Sequence, residues 1–335
     1  MVNLDTFMVA VYTLVDTLYQ THIAPHKPVR RGRCPTLSDS EVLTLLLLGQ
    51  WLGTSERALL RHAAAHWGAY FPRLLSQSAF NRRARDLVGA CATLGSLIAR
   101  ELGAATSPYQ VVDTVPVPVA RLCRGKRHRL FADEASIGRG GSDRHFYYGC
   151  QLLVVITAEG VITGWLVGPA RTEGRWLLDA LLCWRADPAG QPWTVADVPT
   201  DRKRPGGYVG PTGPRWGPAS VGPRSGVPYI ADDGFCGAAW IAHWRTDDGA
   251  TVFTCADYGD ATPPAVHTAH HAWRHGIETV NAVLDHALHL AYPGARTMWG
   301  LVTRLAAKCT AFNCGRWLNA YLHRPPLAVD TLFPG

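Results

Sequence analysis

Apolar residues recur at helical spacing from the start of the chain: Leu4, Phe7, Val11, Leu14, Val15 and Leu18 lie three or four residues apart and would share one face. Ser38-Asp39-Ser40-Glu41 then has the form of a capping box, with Ser38 able to cap the third helical amide while Glu41 reaches back, so a helix over 39–52 is predicted. The same rhythm runs through 55–67 and 78–102, with Gly53, Gly68 and Pro72 in the breaks. An all-helical N-terminal domain over residues 1–105 follows from these segments.

The pattern changes at 106–110. Runs rich in β-branched residues at 110–119, 146–157 and 161–167 read as three antiparallel strands, with Ala158-Glu159-Gly160 as the turn between the last two. Residues 177–184 read as a helix, 228–232 as a short buried strand ending in carboxylates, and 252–255 as another strand. Two long helices are predicted over 267–290 and 298–322. Strands interleaved with helices make residues 106–322 an α/β domain, followed by a tail over 323–335. Within it, residues 186–227 hold eight prolines and eight glycines, a density no regular element survives. That segment is either an irregular lobe packed by Trp193, Tyr208 and Trp216 or a mobile insert over a functional site, and the second reading is preferred.

Composition narrows the class. A chain of 335 residues that is 47% hydrophobic and 18% charged is neither disordered nor fibrous. Its longest apolar stretch, 43–52, is interrupted by Thr44, Gly49 and Gln50 and falls far short of the roughly 20 residues a membrane span needs. Asp5 and Asp16 interrupt the N-terminal apolar residues and no basic segment precedes them, so a cytoplasmic location is expected rather than secretion. Nine cysteines without a CxxC pair fit reduced, mostly buried thiols and not a zinc cluster.

Charge adds a partner class. Thirty-three Lys and Arg oppose 26 Asp and Glu, and residues 121–145 alone hold seven basic against three acidic side chains. Further clusters are Arg30, Arg31 and Arg33; Arg82, Arg83 and Arg85; and Arg202, Lys203 and Arg204. Any one of them is most simply a solvated face. Four on one chain favour a polyanion, because phosphate neutralisation releases counterions and drives non-specific nucleic-acid affinity.

Three carboxylates stand out against this background. Asp113 interrupts the apolar run Val111-Val112-Asp113-Thr114-Val115, where burial costs several kcal/mol, of order ~3, unless the group is paired, binds metal or points to solvent at the strand end. Asp232 ends the strand Val227-Pro-Tyr-Ile-Ala231, a place where open α/β sheets put functional groups, while Asp233 should face the other way. Glu278 shares a helical face with Arg274, four residues before it, as surface ion pairs also do. Two strands and a helix can converge three such oxygen donors on hard divalent cations.

The succession VVDTVPVPV, RHFYYGCQLLVVITAEGVITGWLVGPARTEG, PYIADDGF and RHGIETVNAVLDHAL resembles bacterial insertion-sequence transposases of the DDE type. LSDSEVLTLLLLGQW, SQSAFNRRARDL, ARTMWG and AFNCGRWLN are similar to further stretches of these proteins, so the resemblance spans about residues 30 to 322. It implies a ribonuclease-H-like mixed sheet flanked by helices and preceded by the helical domain. Asp113, Asp232 and Glu278 would be the catalytic carboxylates, binding two Mg²⁺ ions, with Mn²⁺ as a substitute. Activated water would cut the DNA at a transposon end, and the freed 3′-OH would attack a target phosphodiester.

The same resemblance implies that Arg274, Arg124, Lys126, Arg127 and Arg129 contact DNA beside the site. Residues 1–105 would recognise the inverted repeats, through a helix-turn-helix carrying Arg82, Arg83 and Arg85. Double-stranded DNA, both transposon ends and target, would be the partner of a nucleoid-associated homodimer. The chain departs from the pattern at His271, where many members carry Tyr, and at Asp285, where many carry Lys. Two alternatives stay open: a domesticated or inactive transposase that only binds DNA, and another metal-dependent hydrolase using zinc on His271 and His275, which are four residues apart.

Overall fold

A computed structural model of the chain describes residues 3–27, 35–125, 131, 134–140, 145–186, 226–257 and 264–332. The first helix, α1 (Leu4–Leu18), buries Phe7, Val11, Leu14, Val15 and Leu18, the positions whose spacing predicted it. α2 (Asp39–Trp51) opens on the capping box, with Glu41 N–H donating to Ser38 Oγ at 3.1 Å and Ser38 N–H donating to Glu41 at 2.5 Å. Two backbone donors that a helix start leaves unpaired are thereby satisfied. α3 (Glu56–His66) follows. The single helix expected over 78–102 is two, α4 (Gln77–Asp86) and α5 (Val88–Glu101), which meet at Leu87, where the backbone (φ −99°, ψ 7°) leaves the helical region.

β1 (Gln110–Ala120) leads through the short α6 (Leu122–Gly125) to β2 (Ser136–Gly140), β3 (His145–Thr157) and β4 (Ile162–Pro169). β1, β3 and β4 form the expected antiparallel set, and Gly160 takes the left-handed conformation (φ 77°) that the hairpin turn between β3 and β4 requires. The sequence pattern does not predict β2. Its sequence, Ser-Ile-Gly-Arg-Gly, has no alternation to read, and it shares with β4 the edge of β3 opposite β1.

α7 (Gly174–Ala186) crosses the sheet, and the chain returns as β5 (Tyr229–Ile230), parallel to β1. α8 (Ala238–Asp247) then leads to β6 (Val252–Phe253), parallel to β5, and the chain closes with α9 (Pro264–His286) and α10 (Met298–Tyr321). The fold is therefore α/β, a mixed sheet in the order β4-β3-β1-β5-β6 with helices on both faces. The Pro/Gly-rich segment of 186–227 lies outside the described residues from 187 to 225.

Strand alternation assigns the two faces. Val111, Val115 and Val117 of β1, with Leu152, Val154 and Ile156 of β3, join one core with α1, α2, α5, α9 and α10. Val112, Leu153 and Val155 point the other way, into a smaller core under α7 and α8 that holds Trp176, Trp240 and Trp244. The N-terminal helices thus share their core with the sheet instead of enclosing one of their own. Helix α10 is the common partner, buried along most of its length. Gly95 lets it approach α5: a Cβ there would lie 2.7 Å from Thr310 Oγ1.

Helix α10 also covers part of the sheet's edge. Asn313 accepts from Ile162 N–H at 3.0 Å and donates to Ile162 C=O at 2.8 Å, as a neighbouring strand would, and Arg316 donates to Glu159 C=O at 2.6 Å. The stretch AFNCGRWLN therefore has a structural explanation. None of the described helices is long and apolar enough to cross a membrane.

Candidate metal centre

Strand periodicity decides where the acids point. Asp113 has the parity of Val111 and Val115, so its carboxyl leaves the sheet on the side of α9. β5 pairs Ile230 with Val111, and Asp113 and Asp232 each lie two residues beyond that pair. Asp232 keeps extended backbone (φ −79°, ψ 174°), so it continues the alternation and turns to the same side. Asp233 begins a single 3-10 turn, faces away, and accepts from Ala256 N–H at 3.0 Å. On α9, Arg274, Glu278 and Asn281 recur at helical spacing and form one face.

These groups line a single open cleft of about 850 Å3, walled by Asp113, Thr114, Asp232, Arg274, Glu278 and Asn281 and continued by Arg139, Tyr147 and Gln151. Asp113 lies at its floor, accepting from Thr114 N–H at 2.7 Å and from Asn281 Nδ2 at 3.1 Å. Burial is the main cause that raises its carboxyl to about 6; repulsion by Asp232 adds to this, and Thr114 N–H and Arg274 oppose it. Asp232 caps its own turn through Gly234 N–H at 3.1 Å. Glu278 is more than half exposed, with His275 Nδ1 at 3.6 Å. Two buried atoms at the cleft have no hydrogen-bond partner among the described residues, Asn281 Oδ1 and Arg274 Nε.

The sequence pattern does not mark Asn281, Thr114 or Gln151 as site residues. Asn281 was findable, standing three residues after Glu278 on the same helical face. Gln151 was not, since its role depends on the pairing of β3 with β1. With its amide turned to suit its neighbours it accepts from Thr114 Oγ1 at 2.7 Å and donates to Thr172 C=O at 2.8 Å.

The proposed DNA contacts scatter. Arg274 lines the cleft. The side chain of Arg124, and Lys126, Arg127 and Arg129, lie outside the described residues. On α4, Arg82 is exposed and Arg85 half-buried, but Arg83 is tied inward, donating to Asp39 at 2.5 Å beside Lys27 and Tyr19. Residues 67–76 separate α4 from α3, and Leu87 alone separates it from α5, so neither junction has the three- or four-residue turn of a helix-turn-helix.

The histidines divide similarly. His270 is buried against Ala231 C=O at 3.1 Å, and burial lowers its pKa. His271 and His275 are exposed, and among the described residues they gather no third metal ligand. A His/Asp cluster does form elsewhere, under α7 and α8. Asp179, His243 and Asp248 present donor atoms within 4.8 Å of one another. Each ring nitrogen of His243 already faces a carboxylate at 2.9 Å, Nε2 that of Asp179 and Nδ1 that of Asp247, so a metal would have to displace one of these contacts. The eight described cysteines are free thiols. No protein-family model, curated protein or solved structure matches the chain.

Proposed function

We propose that the protein is a DNA transposase of the DDE type, which cuts transposon ends and joins the 3′-OH to target DNA by metal-dependent phosphoryl transfer. The observation that carries this reading is the meeting of Asp113 from β1, Asp232 from just beyond the end of parallel β5, and Glu278 from α9, in one cleft. The sheet supports it: an antiparallel β1-β3-β4 set extended by parallel β5 and β6 is the arrangement expected of a ribonuclease-H-like core.

The donor set fits Mg²⁺, or Mn²⁺ in its place. Carboxylate oxygens suit hard cations, a divalent ion would relieve the repulsion between Asp113 and Asp232, and the unpartnered Asn281 Oδ1 is one more oxygen at the cleft. When bound, the ions activate water and stabilise charge on the phosphorane oxygens. Asp113 and Asp232 would hold them from the sheet and Glu278 from the helix, while Asn281 keeps the Asp113 carboxylate oriented through its 3.1 Å hydrogen bond. Arg274, on the same helical face, would meet substrate phosphate. Two copies of the chain would hold the two ends.

The test is Mg²⁺- or Mn²⁺-dependent nicking of duplex DNA bearing the flanking inverted repeats. Wild type should cleave, Asp113→Ala, Asp232→Ala and Glu278→Ala should not, and Asp233→Ala should retain cleavage. A pure, folded wild type that binds these ends without cutting them would make it a DNA-binding protein instead.

A further inference from the structure

A second opening lies between α4 and the start of α10 and shares no residue with the carboxylate cleft. It measures about 410 Å3 and continues, through Leu46, Glu56, Gly294 and Arg304, into a further 240 Å3 beside Lys308. Arg85, Arg296, Arg304 and Lys308 line the two parts, against one acid, Glu56, which is ion-paired to Arg304. Lys308 is buried and donates to Leu288 C=O; burial is the main cause that lowers its pKa to about 8, and the charge of Arg304 adds to it. Arg85 and Arg296 have no ion-pair or hydrogen-bond partner among the described residues, so their guanidinium groups are available to an anion.

Other features of the groove point the same way. Thr297 and Gly300 line it, so the positive end of the 24-residue α10 opens into it. Tyr292, also lining it, is 86% exposed, an aromatic beside basic groups as nucleic-acid sites use. Its rim is formed by the loop that leaves α9, the helix carrying Glu278. That helix extends about 12 Å from Glu278 to its end at His286, the length of three or four nucleotide steps along one strand.

We propose that this groove holds the sugar-phosphate backbone of DNA at a site separate from the cleft, with Arg85 of α4 and Arg296 of the α9–α10 loop as the phosphate contacts. The inference rests on the transposase reading for the identity of the polyanion. It joins two stretches, SQSAFNRRARDL and ARTMWG, that lie over 200 residues apart, and it gives α4 a DNA contact that needs no helix-turn-helix.

The experiment is fluorescence anisotropy of a labelled duplex bearing the inverted repeat, titrated with the full chain in EDTA at several salt concentrations. Arg85→Ala with Arg296→Ala should weaken binding at least tenfold at low salt and flatten the slope of log K against log salt by about 2, one phosphate for each guanidinium. Arg85→Lys with Arg296→Lys should recover most of the slope, exposed Arg245→Ala should change neither quantity, and all variants should melt with wild type. Unchanged affinity and slope in the double Ala variant would overturn the groove, as would displacement of the DNA by polyglutamate at equal charge concentration. Because EDTA removes cleavage from the readout, a protein that binds through the groove but never cuts sinks only the transposase reading. One that cuts DNA while its double variant binds normally sinks only the groove.

Discussion

Two groups of acids flank the same sheet, and they are built on opposite principles. Under α7 and α8, Asp179 is fully buried, yet its carboxylate meets His243, whose other nitrogen meets Asp247, so the group is closed by its own hydrogen bonds. On the other face, Asp113 of β1 and Asp232, just past the end of neighbouring β5, repel one another, and Asn281 Oδ1 is left without a partner among the described residues. The first arrangement is complete as a clasp between two helices. The second is electrostatically incomplete, which folding alone gives no reason to retain and a divalent cation would repair. Proximity of carboxylates therefore does not by itself separate the two groups, whereas burial and like-charge repulsion left in an open cleft do.

The comparison breaks most sharply on activity. Removing Asp113, Asp232 or Glu278 should lower DNA nicking by at least about 10³-fold, about 4 kcal/mol of transition-state stabilisation, with little loss of fold. His243→Ala should do the reverse. Losing the 2.9 Å hydrogen bond between His243 and the buried Asp179 should cost about 2 kcal/mol of stability, read as a lower urea midpoint, while nicking per folded molecule stays at the wild-type level. Loss of nicking by folded His243→Ala would move the functional site to the other face of the sheet.

The cleft was more legible than the clasp, for a physical reason. Asp113 interrupts an apolar run and Asp232 ends a short strand before a glycine, and both features are visible in one dimension. Asp179 and His243 sit on helices 64 residues apart in sequence, in segments where a polar residue breaks nothing. The same limit hid α8, whose sequence Ala-Ala-Trp-Ile-Ala-His-Trp-Arg-Thr-Asp carries no clear amphipathic stripe, and β2, which owes its pairing to β3. Helical periodicity locates the segments of α1 to α5, but it says nothing about what their apolar faces meet, and here they meet α10 and the sheet.

Burial at the cleft, with repulsion added to it, predicts a pH signature. Burial and Asp232 raise the Asp113 carboxyl to about 6 in the folded, metal-free chain, above its ordinary value of 3.8. The folded state therefore binds the proton more tightly than the unfolded state between these values. Its contribution to stability is fully present below about pH 4 and is lost as pH rises through 6. Asp113→Asn should then be more stable than wild type by about 1–2 kcal/mol at pH 7 in EDTA, no more stable at pH 4, and unable to gain from added Mg²⁺. A gain of equal size at both pH values would show that packing, not charge, makes Asp113 costly.

The smallest effect belongs to Asn281, which holds Asp113 without being one of the three acids. Its Nδ2 donates to the ionised carboxylate, so Asn281→Ala removes a bond that favours the charged form and should raise the Asp113 pKa further. Nicking at pH 7 should fall three- to tenfold, about 1 kcal/mol, and the acid limb of the pH–rate profile should move to higher pH, so that much of the loss is recovered by pH 8.5. Asn281→Ser, which keeps a donor on a shorter side chain, should restore part of the rate if a bridging water spans the gap. A loss that does not vary with pH would instead assign Asn281 to packing of α9 on β1, and the orphaned oxygen would then have no part in the proposed metal site.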